Sequence, residues 1–326
     1  MFTVALPITP ENEATEGCSM QGIANGLIPI ATVIALGWVL RRSDLVPTAL
    51  WAGINKIGYV ALLPALLYKT IAEAQLEGLE AGSFLIAATL GFLIMAAIAV
   101  ILKPLLRTDG PSFTSVFQGG IRWNGFIVLA LAQSALSPQA ATLTAIVFAP
   151  TVPLINVLCV AALSVWGSHE GSVSLQRVGF RIITNPLIIG CAVGVLATIV
   201  PVLRQPMLLE TADLIGRAAL PLILLSVGAG LNFSAIGEGP RLLALAIGLK
   251  LIVAPATFIV LGKLLGASPD IIVLLAAIGA APGAASSYVL AKELGGNAEL
   301  TAGHVTATTL LAFISIPLWI AVARAL

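Results

Sequence analysis

Charge is scarce in this chain. Asp, Glu, Lys and Arg together make up 10% of its residues, where a soluble domain carries roughly 25%. That shortage excludes an ordinary water-soluble globule and leaves no basic surface for a nucleic acid. Histidine and cysteine are rarer still, with two and three residues. Cys18, Cys159 and Cys191 have neither disulfide nor metal-ligand spacing, so the two within apolar stretches read as small core filler. Metal clusters, nucleophile–base pairs and phosphate-cradling loops are missing. The chain is therefore not expected to be an enzyme or to carry a cofactor. Long polar connections are missing too, which leaves no room for an inserted soluble domain. The first nineteen residues are acidic (Glu11, Glu13, Glu16) and lack a basic segment leading into an apolar one, so they do not read as a signal peptide.

What is abundant is apolar surface. Apolar residues make up 59% of the chain, and the mean hydropathy is +1.05. Stretches of about 20 apolar residues, the length of a bilayer-crossing helix, recur at 21–40, 50–71, 83–103, 113–133, 140–165, 180–203, 209–231, 240–262, 270–292 and 300–323. Their length argues for helices in the lipid bilayer rather than a barrel. Basic residues near span ends set orientation. Connections after odd-numbered spans carry Arg41, Arg42, Lys103, Arg107, Arg177, Arg181, Arg241 and Lys292, against Lys69, Arg204, Lys263 and Arg324 elsewhere. This places both termini outside the cytoplasm and predicts a multi-pass protein of the cell (inner) membrane.

The chain repeats itself at an offset of 157 residues. Pro29 then falls on Pro186, Gly37 on Gly194 and Leu63-Pro64 on Leu220-Pro221. Five spans per half is an odd number, so the second half enters the membrane from the other side, and the repeats are inverted. The expected fold is an all-α integral membrane protein of ten transmembrane helices in two inverted five-helix repeats. A short extracytoplasmic tail covers 1–20, the first repeat 21–166, a cytoplasmic connection 167–179 and the second repeat 180–326.

Spans four and nine are each expected to be broken, at 119–125 and 279–283, where glycine, proline and arginine interrupt apolar sequence. Freed backbone groups find no water in lipid. Paired interruptions in two halves are a sequence pointer to a transporter's substrate site. A half-helix N-terminus attracts anions, Pro282 suits a first helical turn, and Gly125 and Gly283 permit close approach of a ligand. Arg122 is costly at mid-bilayer; its partner is either a substrate anion or carbonyls freed by its own break. Asn124 can bind a carboxylate, cap the outgoing half-helix, or both. Trp123 stacks on a flat substrate or wedges the helices apart.

Ala284, Asn25, Asn156, Asn185, Ser286, Ser287 and Tyr288 are further cavity-lining candidates, with interhelical hydrogen bonding the competing reading for the polar ones. Lys250 is either a second anion contact or a lysine that pairs with carbonyls or snorkels. Asp213 and Arg217, four apart, read as an intrahelical ion pair. Asp213 and His304 are the candidates for proton coupling, His304 with a structural role as the alternative. The other histidine, His169, falls in a connection.

These residues carry a resemblance to the auxin efflux carrier family, in particular its bacterial branch of malonate or organic-acid transporters. It rests on Leu40-Arg41-Arg42, Leu62-Leu63-Pro64-Ala65-Leu66-Leu67, Arg122-Trp123-Asn124, Val152-Pro153-Leu154-Ile155-Asn156 and Asn185-Pro186-Leu187-Ile188. Ala281-Pro282-Gly283-Ala284-Ala285-Ser286-Ser287-Tyr288 and Gly295-Gly296-Asn297-Ala298-Glu299 complete it. The resemblance implies crossing broken helices and a small organic anion such as a carboxylate bound where they cross. It also implies an elevator-like motion and a homodimer. It gives Asn124 of the Arg-x-Asn motif to the carboxylate and the turn at Pro282 to the second helix N-terminus. Two residues depart from the pattern: Gly283 stands where a hydroxyl residue is common, and His304 where an apolar one is expected. The expected function is secondary transport, with export the expected direction. A sodium-coupled symporter resembling the bile acid transporters, a channel and a non-transporting sensor are the alternatives.

Overall fold

The computed structural model describes residues 20–74, 80–168, 180 and 183–326, and all regular structure among them is helical. Most of the expected tail (1–20) and connection (167–179) lies outside these residues, with Cys18, His169, Arg177 and Arg181. The helices are α1 (Met20–Arg42), α2 (Thr48–Ala72), α3 (Ala81–Leu106), α4 (Gly110–Ile121), α5 (Gly125–Ala135) and α6 (Pro138–Trp166). They continue with α7 (Pro186–Ile199), α8 (Pro206–Ala229), α9 (Pro240–Leu264), α10 (Pro269–Ala280), α11 (Ser286–Glu293) and α12 (Ala298–Ala325). Seven of them, α1, α2, α3, α6, α8, α9 and α12, are long and apolar enough to cross a membrane.

The starts of these helices are written locally. The side chains of Asp109, Ser137, Asn185 and Asn297 each accept a backbone N–H from the first turn of the helix that follows, as good N-caps do. Proline opens α6, α7, α8, α9 and α10, where its missing N–H costs nothing.

Proline inside a helix has a different effect. Its ring collides with the carbonyl four residues back and removes a hydrogen bond. Pro64 follows a π-helical turn at Gly58–Leu62, and Pro255 follows one at Leu249–Val253. Pro221 follows a slip at Arg217 and Ala218. At the second of these the Leu251 carbonyl receives Trp319 Nε1 at 2.7 Å and Ser315 Oγ at 3.3 Å. A group left over from the ladder is thus satisfied by a neighbouring helix, as a membrane interior requires.

Two groups of helices pack side by side. In one, α1 lies on α8 and α2 on α7, with α8 also touching α2. Glycine makes these contacts nearly backbone to backbone. A Cβ on Gly37 would sit 2.0 Å from the Leu225 carbonyl oxygen, and one on Gly228 1.8 Å from that of Ile34. On the other pair, a Cβ on Gly190 would meet Pro64 Cα at 2.7 Å, and one on Gly194 would meet the Tyr68 carbonyl oxygen at 3.1 Å. Small residues at a crossing are how helices associate tightly in lipid.

The second group is a bundle of α3, α4, α6, α9, α10, α11 and α12 with α5. Residues 112–121 of α4 and 271–280 of α10 are buried without exception. The two short helices are therefore sheathed by longer ones. Outward faces stay apolar and exposed, as at Ile101 on α3 and Ile314 and Leu318 on α12. In water such a surface would be an aggregation hazard; against lipid it is ordinary.

Gly228→Val is expected to abolish the monodisperse protein on size-exclusion chromatography. Gly53→Ala, where a Cβ meets nothing within 4 Å, should leave it intact. A folded Gly228→Val protein would overturn the close-crossing account. The cap of α4 predicts a pH effect. The Ser112 N–H donates to Asp109 Oδ2 at 3.0 Å and holds that exposed carboxyl below the usual carboxylate range. Asp109→Ala should cost about 1 kcal/mol at neutral pH. Because the folded value is lowered, the melting-temperature gap to wild type should be full above about pH 4 and close as pH falls further.

Candidate functional site

The helical ladder stops at Ile121 and resumes at Gly125, and again stops at Ala280 and resumes at Ser286. The two gaps touch: the Asn124 N–H donates to the Pro282 carbonyl at 2.8 Å. Asn124 Oδ1 accepts the Ile127 N–H at 3.4 Å as the cap of α5. In the other gap the Gly283 N–H donates to Thr308 Oγ1 at 3.1 Å, and that hydroxyl donates to the His304 carbonyl at 2.7 Å. The extended backbone of each gap is therefore held by protein and not by lipid.

Arg122 is buried (6% exposed), and its three nitrogens are spoken for. Nη1 donates to Ser286 Oγ at 2.8 Å, Nη2 to Asn156 Oδ1 at 2.7 Å and Nε to Cys159 Sγ at 3.3 Å. Each of these partners is a neutral side chain, and none is a carbonyl of the gap. Each guanidinium nitrogen has a hydrogen-bond partner, yet the charge has no counter-ion among the described residues.

A cavity of about 500 Å³ lies between the two helix groups at this point. Arg122, Trp123, Asn124, Gly125 and Asn156 line it with Ala284, Ala285 and Ser286. The N-terminal ends of α5 and α11 thus border one space. Aromatic rings form part of the wall: Trp123 stacks on Phe148 with centroids 5.6 Å apart, and Phe148 on Phe126 at 5.5 Å. Gly125 makes room for them, since a Cβ there would meet Phe148 at 2.5 Å. The opposite wall comes from Asn55, Lys56 and Tyr59 of α2, Leu187 of α7, and Ile223 and Val227 of α8. The Tyr59 hydroxyl accepts from Asn185 Nδ2 at 2.9 Å, which makes Asn185 an interhelical bond as well as a cap.

The remaining expected site residues are scattered. Pro282 and Gly283 are buried behind the lining, Ser287 is 2% exposed, and Asn25 lies on an exposed face of α1 away from the cavity. His304 is wedged in the bundle, 3.0 Å from where a Cβ would stand on either Gly119 or Gly283. Its ring bonds the backbone of Ala246, and its Nε2 has no hydrogen-bond partner. Lys250 is wholly buried on the π-helical turn of α9, lines no part of the cavity, and has no hydrogen-bond partner for its Nζ. Asp213 sits at the far end of α2, between Lys69 (2.8 Å) and Arg217, with Glu73 3.3 Å from the same lysine. These four border a separate cavity of about 810 Å³.

Sequence reasoning missed Asn55, Lys56 and Tyr59. A signal was present at Lys56, a cation well inside an apolar stretch.

Described residues whose regular structure is all helical, with seven apolar helices of bilayer length, exposed apolar flanks and a cavity at an interior gap, make this a multi-pass membrane protein. Residues 169–320 match the model of a family described as Membrane transport protein. Over 302 residues the chain is 23% identical to a protein of Rhizobium meliloti (strain 1021) named "Putative malonate transporter", covering 91% of this chain and 94% of the relative. Both matches point to a membrane transporter rather than an enzyme, and they bear out the resemblance to the auxin efflux carrier family.

Neighbouring serines provide a check on the geometry. In a background with Cys18, Cys159 and Cys191 changed to Ser, Ser286→Cys should react readily with a charged methanethiosulfonate reagent, and Ser287→Cys at least about tenfold more slowly. Equal reactivity would mean that the wall of the cavity is misassigned.

Proposed function

We propose that this protein is a secondary transporter of small organic anions, carboxylates above all, that works by elevator-type alternating access. The observation that carries this reading is Arg122: a buried cation whose every partner is neutral, beside the N-terminal ends of α5 and α11 in one cavity. A buried charge without a counter-ion is costly, and a carboxylate supplies one. Helix N-termini favour the same ligand. The relative's name refers to malonate, a dicarboxylate, which agrees. Asn124, Asn156 and Ser286 complete the binding set, while Gly125, Ala284 and the Pro282–Gly283 turn shape it.

Ten crossings in two inverted repeats, 21–166 and 180–326, provide the frame, with α4–α5 and α10–α11 as the broken fourth and ninth. Two features support this. The order of long and short helices in α2–α6 recurs in α8–α12. Packing contacts are also exchanged between halves: shifting Gly37 and Tyr68 by 157 residues gives Gly194 and Leu225, and Gly37 packs on Leu225 as Gly194 packs on Tyr68. A twofold axis requires such an exchange. The bundle moves against the α1, α2, α7 and α8 group, which pairs with a second protomer. Both termini lie outside the cell (inner) membrane and the anion is exported. His304 in the bundle and Asp213 in its ion cluster are the candidates for a coupled proton.

Purified protein in liposomes on a solid-supported membrane tests this. Malonate, malate, succinate, pyruvate and indole-3-acetate are applied with and without sodium and a pH gradient. A saturable, sodium-independent current is expected, and Arg122→Ala and Asn124→Ala should each reduce it at least about tenfold while remaining monodisperse. A sodium requirement would select a symporter instead. Wild-type currents from a monodisperse Asn124→Ala protein would remove the site from the gaps.

A further inference from the structure

Two cations line the cavity, and among the described residues no Asp or Glu does. Arg122 comes from the bundle and Lys56 from α2, on the facing helix group. Neither has an ion-pair partner among the described residues. Lys56 lies eight residues into α2, about 12 Å along its axis, which is deep for a lysine that serves only to reach the headgroups. An intramembrane lysine is costly unless it faces protein or a water-filled cavity, and this one faces the cavity. Tyr59 of the same helix lines the cavity beside it, as does Arg122. The α2 wall and the arginine thus border the same cavity of about 500 Å³. The fixed charge of the cavity is two positive and none negative, which a dianion balances and a monoanion does not.

We propose that Lys56 binds the second carboxylate of a dicarboxylate whose first carboxylate is held at Arg122 and Asn124, an assignment that rests on the carboxylate reading above. The substrate then spans the boundary between the helix groups. Asn55, beside Lys56 in the lining, is placed to donate to the same carboxylate. Lys56 is a specificity residue: it separates dicarboxylates from monocarboxylates of the same length.

The test is isothermal titration of the purified full-length protein with malonate and with monomethyl malonate, which keeps the chain and loses one charge. Wild type should prefer malonate. In Lys56→Gln that preference should collapse by about tenfold to a hundredfold, and Lys56→Arg should restore it. Lys56→Glu should turn the preference toward β-alanine, whose ammonium replaces the second carboxylate. Size-exclusion profiles matching wild type establish that each variant is folded. An unchanged malonate preference in Lys56→Gln, or an equal loss of both ligands, overturns the role of Lys56 and leaves the carboxylate reading standing. A wild-type protein that binds neither ligand overturns both.

Discussion

A backbone in lipid has no water to bond, so its polar groups must be satisfied within the protein. The two gaps and the π-helical turn of α9 obey that constraint. The gap at 122–124 bonds to the gap at 281–285 through Asn124 and Pro282. Thr308 takes the Gly283 N–H, and Trp319 and Ser315 take the Leu251 carbonyl. These partners come from other helices of the bundle, which surrounds this irregular backbone. The short helices α4 and α10 are buried along nearly their whole length for the same reason.

From this follows the character of the site. Ending two helices in the interior creates polar helix ends and extended backbone, and the protein then places a guanidinium among them with neutral partners only. Hydrogen bonding and charge neutrality are separate requirements. Cys159, Asn156 and Ser286 give each nitrogen a partner toward the first and leave the second open. The aromatic stack of Trp123, Phe148 and Phe126 gives the cavity an apolar wall on that side, and a less polar surrounding strengthens the remaining electrostatics.

Much of this was readable from residue types. Apolar stretches of bilayer length, prolines at helix starts and capping Asn, Asp and Ser side chains report local chemistry, and local chemistry decides where these helices begin. Gly119–Gly125 and Gly279–Gly283 mark the gaps because those residues are out of place in apolar sequence. Long-range proximity left no such mark. Nothing near Arg122 announces Ser286, which lies in the other half of the chain. Lys250 shows a second reason. Its depth was legible, but the direction of its side chain was not, because the π-helical turn at Leu249–Val253 shifts the 3.6-residue register on which facing arguments depend. Lys56 went unread for a different reason: its span also holds Lys69, and only the fold separates a lysine in a cavity from one in a terminal ion cluster.

The unbalanced guanidinium at Arg122 also bears on membrane voltage. In the proposed elevator it travels with the bundle, so the empty carrier shifts a net positive charge when it reorients; a bound monocarboxylate cancels that charge and a dicarboxylate reverses it. Moving one charge through 100 mV is worth about 2.3 kcal/mol. An inside-negative membrane then draws the vacant site toward the cytoplasm, where an exported anion waits, and the resting potential resets the carrier after each release. Such a step would register as charge movement in the absence of any substrate.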